Sequence, residues 1–550
     1  MSPNHQIAAD QWRLLLGADR VLQGDAIPSR YRHDTLANDA DVPLVLRIAS
    51  ADQLPDVMRI AQQHGITVHP ISTGHNWGYG TTLPAISGVA LIDLGDLRAI
   101  LDFDPELGVV TLEPGVTQGM LADYLDQHGH NHMVPVTGAG PNCSLLANAL
   151  ERGFGITPHA DHFGALTDLE AVLADGSIYQ SALREAGSAE LARLFKWGIG
   201  PYVNGLFSQS GFGIITRASI ALAPRPECVK VCLFNLADDN LLEEAVHRVQ
   251  QLLTQLPGVL GGVNLMNQHR VLAMTAPYPP AEELDANGLM TAAQVKQLGR
   301  TYQIAPWTGF ATLYGRKRMV QAAQKEIKLA LKGVASRLLF LSPTQAAWLA
   351  GIADRIPGPM GKKLGKTAAT LKASLQLVQG RPNETALPLT YWRGRLPQPD
   401  QNRDPARDGC GLLWYAPLIP MRPADVRRFV DFVHRELPPR GLEPLITLTS
   451  QGDRLFDSTV PLLFDKSVQA NSDAASASLE HLIEEGRTLG FYPYRLHIQS
   501  QAAHLARQSS SAQLVARLRH AIDPLDLLAP GRYAPHIHER QDPTAPPSSF

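Results

Sequence analysis

Between residues 43 and 220, short apolar β-type runs alternate with amphipathic stretches. Residues 52–64 place Leu54, Val57, Met58 and Ala61 at helical spacing, and Gly65 follows as a C-terminal stop, so a helix is predicted there. Residues 67–71, 89–94 and 109–112 are rich in β-branched residues and bounded by Gly, Pro or Asp, which predicts strands. Residues 170–173 and 177–179 flank Asp175-Gly176, a hairpin signal. The mixture predicts an α+β fold.

The periodicity breaks at Pro224-Arg225-Pro226, where a boundary is expected. Beyond it, helices are predicted over 241–253, 424–437 and 475–489, and strands around 411–418 and 445–448. Residues 395–409 and the Gly-, Pro- and Lys-rich 354–367 are expected to be exposed loops, and the tail beyond Arg540 to be disordered. No internal repeat is present. At 550 residues the chain exceeds what one core organises.

Composition narrows the class. Lys+Arg 49 against Asp+Glu 52 gives a formal charge of −3, which argues against nucleic acid as the main partner. Four cysteines, Cys143, Cys228, Cys232 and Cys410, are too few and scattered for a disulfide framework. The opening residues lack the basic start of a signal peptide, and no run approaches the ~18 apolar residues that span a bilayer. A soluble cytoplasmic enzyme with a small-molecule substrate is the expectation.

The most informative segment is His69-Pro70-Ile71-Ser72-Thr73-Gly74-His75-Asn76-Trp77-Gly78-Tyr79-Gly80, a strand running into small residues whose backbone N–H groups could converge on a pyrophosphate. A GxGxxG opening of the Rossmann type is absent. Farther on come Gly138-Ala139-Gly140-Pro141-Asn142-Cys143-Ser144, then Asn148, Gly153, Thr157-Pro158, Asp161-His162 and Gly211-Phe212-Gly213-Ile214-Ile215-Thr216. With Val110-Thr111-Leu112-Glu113-Pro114-Gly115 and the terminal Asp523-Pro524 and Ala529-Pro530-Gly531-Arg532, this order resembles the vanillyl-alcohol oxidase / p-cresol methylhydroxylase (PCMH-type) flavoprotein family.

The resemblance implies a two-part FAD-binding domain at 1–225, an α+β cap domain at 226–489 over the isoalloxazine ring, and a C-terminal return at 490–550. It assigns FAD to Ile71, Ser72, Thr73, Gly74, His75, Asn76, Gly138, Cys143, Ser144, Asn148, Gly153, Thr157, Gly213, Ile215 and Arg532. Gly-His-Asn matches the loop where many members link flavin C8α to a histidine, which implies a covalent bond through His75. Relatives that attach FAD from the cap use a His or Tyr, and residues 451–460 contain neither. A second link through Cys143 is the less favoured implication, the alternative being a small buried thiol.

Tyr79 and the pair Tyr494-Arg495 match the residues that hold a phenolate in phenol-oxidising relatives. A guanidinium and two phenolic hydroxyls would lower a phenol's pKa, and hydride would then leave its benzylic carbon for flavin N5. Relatives place an aspartate near N5, where Thr137, Gly138, Ala139 and Gly140 stand here, so a base must be absent or come from elsewhere. His497 and Tyr415 are candidates to face the flavin, though packing accounts for both. The expected activity is FAD-dependent oxidation of a para-substituted phenol or aromatic alcohol, with oxygen or another acceptor, in a homodimer. The alternatives are oxidation of an alcohol or amine without a phenolate, and a non-catalytic flavin- or nucleotide-binding protein. Gly361-Lys362-Lys363-Leu364-Gly365-Lys366-Thr367 ends like a P-loop but has three residues between its glycines instead of four. His128, His130, His132, His536 and His538 lack the partners of a metal site.

Overall fold

The computed structural model describes residues 3–37, 40–353, 371–505 and 509–534. The whole 354–367 loop with its P-loop-like segment, His536, His538 and the tail beyond Arg540 lie outside them.

A small sheet comes first, in the order Val21–Gln23, Leu44–Arg47, Ala90–Asp93, Val68–Ile71, with the last three parallel. Parallel neighbours need a crossover, and the helix Leu54–His64 supplies it. Its Leu54, Val57, Met58 and Ala61 are buried, and Gly65 ends it at φ +63°. The helix Pro3–Leu16 packs beside it, with the Trp12 indole donating to Val57 O at 3.2 Å. The chain's last segment returns to this sheet: Val68 N donates to Leu527 O at 2.8 Å and Ala529 N to Val68 O at 2.7 Å.

The second sheet is antiparallel, in the order Ile100–Asp104, Val109–Leu112, Ile214–Ala221, Leu166–Val172, Ile178–Gln180. The Asp175-Gly176 turn joins its last two strands as the sequence predicts, with Gly176 at φ +82°. After Ala223–Pro224 the chain enters a third large sheet of nine antiparallel strands. The helices Leu242–Gln255, Lys317–Ala330, Pro423–Glu436 and Gln469–Thr488 cover one face of it and form the largest core. Between this cap sheet and the two N-terminal sheets lies one long cavity.

Two predicted elements differ. The run 411–418 is two strands, Cys410–Tyr415 and Pro417–Pro420, which pair with opposite ends of Leu455–Asp465. Pro417 and Pro420 have no N–H to give a continuous ladder, so the chain shifts at Ala416. The strand expected at 445–448 is Thr447–Gln451, displaced because Pro444 O and Ile446 N are held by the Asn267 side chain. All four cysteines are free thiols. Among the described residues no helix is long and apolar enough to cross a membrane.

Candidate active site

The cavity has a volume of about 440 Å³. Its first wall is the loop that leaves the strand Val68–Ile71. Gly74 takes φ +73°, and a Cβ there would stand 2.5 Å from Thr82 Cγ2, so only glycine lets the chain turn at this point. Among the described residues the backbone N–H groups of Gly74, His75 and Asn76 have no protein acceptor. Ser144 ties the facing segment to this loop: its N–H donates to Thr73 Oγ1 at 3.2 Å, and its hydroxyl caps the helix Leu145–Leu150 while donating to Pro114 O at 2.7 Å. Gly153 is required beside it, because a Cβ would stand 2.0 Å from Asn148 Oδ1.

Of the residues assigned to FAD, Ile71, Ser72, Thr73, Gly74, His75, Asn76, Gly138, Cys143, Ser144, Asn148, Gly153, Gly213, Ile215 and Arg532 line this cavity together. Thr157 does not; it is buried beside it with an unpartnered hydroxyl. Several buried polar atoms at the wall, His75 Nδ1, Arg495 Nε and Arg532 Nε, lack a hydrogen-bond partner. Free amides, a glycine cradle and two arginines that share one carboxylate are the complement of an anionic dinucleotide, so the residues fit FAD.

The His75 ring stacks on Trp77, with centroids 4.7 Å apart and planes 17° from parallel. Burial, opposed by Asp404 and aided by Arg30, holds this imidazole below its ordinary pKa and therefore neutral. Cys143 is also buried, which pushes its thiol up and away from thiolate.

The cap end is built from side chains. Arg495 is buried and lies over the Tyr79 ring, 4.2 Å from its centroid. It donates to Asn76 Oδ1 and sits 3.4 Å from Glu151 Oε2, whose other oxygen pairs with Arg532. Two guanidinium groups thus share one carboxylate. Beside them Tyr494 and Asp457 line the same end of the cavity, close enough for the tyrosine hydroxyl to act on the carboxyl. Burial pushes the Asp457 carboxyl up to about 7, against the Tyr494 hydroxyl and the Arg495 charge. Burial also raises both tyrosine hydroxyls above their ordinary value, so Tyr79 and Tyr494 remain O–H donors at neutral pH.

Tyr79, Tyr494 and Arg495 therefore meet at one end of the same cavity. No carboxylate stands at 137–140, while the stretch 451–460, which carries no His or Tyr, contributes Asp457 to the cavity wall at the Tyr494 end. Its signal was an acid inside a strand whose neighbours are buried. Glu151, Trp414, Thr459 and Arg270, also on the wall, were not singled out either. His497 and Tyr415 do not line the cavity. The His497 ring lies 3.4 Å from Asp34, which also accepts from Thr81 Oγ1 at 2.7 Å. Tyr415 is buried in the helix-covered core of the cap. Asp161 caps the short helix His162–Ala165, and His162 meets Asn148, so this pair supports the FAD-side segment. His128 and His130 stack at 5.8 Å near Phe103.

Known proteins resemble this chain in sequence and fold. The FAD binding domain family matches residues 42–181. A 1'-carboxy-chondrochloren decarboxylase of Chondromyces crocatus is 33% identical over 95% of this chain and 96% of its own. The flavoprotein subunit of the hydroxylating 4-cresol dehydrogenase of Pseudomonas putida is 26% identical, covering 96% and 94%. Among solved structures, p-cresol methylhydroxylase with substrate bound superposes with a TM-score of 0.85 at 24% identity over 98% of both chains. A 4-ethylphenol oxidase from Gulosibacter chungangensis gives 0.86 at 22% identity, over 98% of this chain and 99% of that one. The likeness runs through both the FAD-side sheets and the cap, and on it the chain belongs to the vanillyl-alcohol oxidase / p-cresol methylhydroxylase family of FAD-dependent oxidoreductases.

Proposed function

We propose that this enzyme oxidises a para-substituted phenol or aromatic alcohol bound as its phenolate. The observation that carries the reading is the convergence of Arg495, Tyr79 and Tyr494 with Asp457 at one buried end of the cavity. Arg495 and Arg532 share the single carboxylate of Glu151, so a net positive charge faces the ligand. Two neutral tyrosine hydroxyls add donors, and together they favour the phenolate over the phenol. Asp457, near 7 and reached through Tyr494, takes the phenolic proton. Bound FAD supplies the acceptor for the hydride that leaves the benzylic carbon. The ring, now quinone-methide-like, adds water or loses a further proton. Oxygen or another acceptor takes the electrons from the cofactor.

We further propose that FAD is linked covalently through His75, a neutral imidazole on the cavity wall whose Nδ1 has no partner. Cys143, protonated by burial, is the weaker candidate for a second bond. The FAD-binding parts are 1–225 and 490–550 with the cap 226–489 between them. Family membership supports a homodimer, and four free thiols suit the cytoplasm.

The test of the substrate class is anaerobic. A 4-alkylphenol should bleach the bound flavin rapidly and its O-methyl ether, which cannot form a phenolate, at least ~100-fold more slowly; equal rates would sink the reading. For the cofactor, acid precipitation should leave yellow colour in the pellet of the native protein and in the supernatant of His75→Ala. Colour in the supernatant for both would remove the covalent bond.

A second reading follows from the Chondromyces crocatus relative, which is named a decarboxylase of a carboxylated compound. If the carbon next to the benzylic position bears a carboxylate, hydride loss is followed by cleavage of the C–CO2 bond. Its electron pair forms the alkene and restores the phenolate, and CO2 departs.

A further inference from the structure

Arg270 is a cation on the cavity wall with no anion to meet. It lies in the first turn of the helix Gln268–Thr275, where its backbone N–H donates to the capping Asn267 side chain at 3.0 Å. Its Nε donates to Thr447 Oγ1 at 2.9 Å, while Nη1 is buried with no partner. Thr447 stands directly across the ladder from Thr459, and Thr459 is two residues from Asp457 on the same strand. Period-two alternation puts these side chains on one face of the cap sheet, and Asp457, Thr459 and Arg270 all line the cavity. Strand spacing and rise place the backbone of Thr447 roughly 8 Å from that of Asp457. The guanidinium therefore belongs to a different part of the wall from the Tyr494 end.

Nearby acids are already engaged. Glu443 accepts from the Tyr278 hydroxyl at 2.9 Å and from Met290 N at 2.8 Å, and lies 3.6 Å from His269. Among the described residues no carboxylate is within ion-pairing distance of Arg270. The contrast with other buried arginines is sharp: Arg495 and Arg532 have Glu151, and Arg519 has Asp526 at 2.7 Å. Burial alone pulls the Arg270 guanidinium down to about 10, with no neighbouring anion opposing it. A guanidinium held out of water without a counter-ion is unfavourable unless a ligand brings the charge. With Nε occupied by Thr447 and Nη1 buried without a partner, the edge left for a ligand is the pair of terminal nitrogens, a planar fork that matches a carboxylate.

We propose that Arg270 binds a carboxylate on the substrate's side chain, so that the enzyme selects phenols carrying an acid at the end remote from the hydroxyl. The inference deepens the phenolate reading, on which it rests for the ligand's orientation. Anaerobic calorimetric titration of the reduced holoenzyme, which cannot take a hydride, with 3-(4-hydroxyphenyl)propionate, its neutral amide and 3-phenylpropionate tests both. The hydroxylated acid should bind on the order of 100-fold tighter than its amide. Arg270→Gln should erase that preference while holding amide affinity within a few-fold, which also shows that the variant is folded. Arg270→Lys, a point charge without the fork, should restore part of it. Equal binding of acid and amide by the native protein, or a preference that survives Arg270→Gln, would overturn the proposal. If 3-phenylpropionate binds as tightly as its hydroxylated partner and loses affinity in Arg270→Gln, the anion site stands and the phenolate reading falls.

Discussion

Gly74, His75 and Asn76 meet the cavity with three consecutive backbone N–H groups, whereas Tyr79, Asp457, Tyr494 and Arg495 meet it with side chains drawn from three distant segments. The core of the first wall is one strand and its loop, whose turn follows from local chain geometry, with Ser144 fastening the facing segment to it. The second exists only when the Tyr79 loop, the strand bearing Asp457 and the segment bearing Tyr494 and Arg495 are folded against one another. A backbone cradle reads any anion of the right shape, so it suits a fixed cofactor. A side-chain wall can be changed one residue at a time, so it suits a substrate. Arg495 joins the two, through Asn76 on one side and the Tyr79 ring on the other.

The largest effect is therefore expected at Arg495. Arg495→Met removes the cation over Tyr79 and leaves Glu151 to Arg532 and the Tyr533 hydroxyl. We expect kcat/KM for a 4-alkylphenol to fall by about 10³, and Arg495→Lys to recover little because a point charge neither stacks nor forks in the same way. Steady-state kinetics of the two variants would show it. Near-native activity in the Lys variant would mean that charge alone matters and that the joint between the walls is dispensable.

Asp457→Asn comes next, with a loss of about 100-fold in kcat/KM at pH 8. The pH profile carries the sharper information. The native enzyme should gain activity as pH rises through about 7, where Asp457 becomes a proton acceptor, and the variant should lose that limb. Stability runs the other way. The folded carboxyl titrates near 7 against 3.8 in the unfolded chain, so between those values the folded state binds the extra proton. Its contribution to stability is complete below about 4 and is lost as pH rises to about 7. Thermal unfolding of Asp457→Asn should thus be less sensitive to pH across that window, with the variant the more stable at pH 8. A parallel pH dependence in both proteins would place the proton elsewhere.

The wall assigned to the cofactor was most legible in its local runs, Ile71 to Asn76 and Gly138 to Gly153: of the fifteen positions assigned to FAD, fourteen line one cavity and Thr157 does not. The cap wall was legible only where it matched a known pair, Tyr494-Arg495. Strand parity explains the rest. In Cys410–Tyr415 it is Trp414 that lines the cavity, while its neighbour Tyr415 points into the helix-covered core. A one-residue difference selects the face, and nothing in the run Leu412-Leu413-Trp414-Tyr415 says which face is covered. Asp457 escaped for the same reason, since a polar residue alternating with apolar ones reads as solvent-facing until a cavity is known to lie on that side. Arg270 was hidden by distance, as its partner Thr447 is 177 positions away.

The smallest effect tests whether the two walls are separable. Gly78 lies between them at φ +77°, its N–H donating to Thr35 Oγ1 at 2.9 Å and its carbonyl accepting from Trp414 N at 3.4 Å. A Cβ there would stand 2.4 Å from Trp414 Cδ1 and 2.8 Å from its Nε1. Gly78→Ala must therefore push the indole along the cavity and hold alanine in a left-handed conformation, at a cost of about 1–3 kcal/mol. The displacement falls on the cap wall. The loop from Ser72 to Asn76, with its own turn at Gly74, is not asked to move. We expect a lower unfolding midpoint and a KM raised a few-fold for the phenolic substrate, with flavin content and its retention in acid unchanged. Loss of flavin from this variant would show that the Gly78 turn positions the cofactor loop as well, and that the two walls fold as one unit.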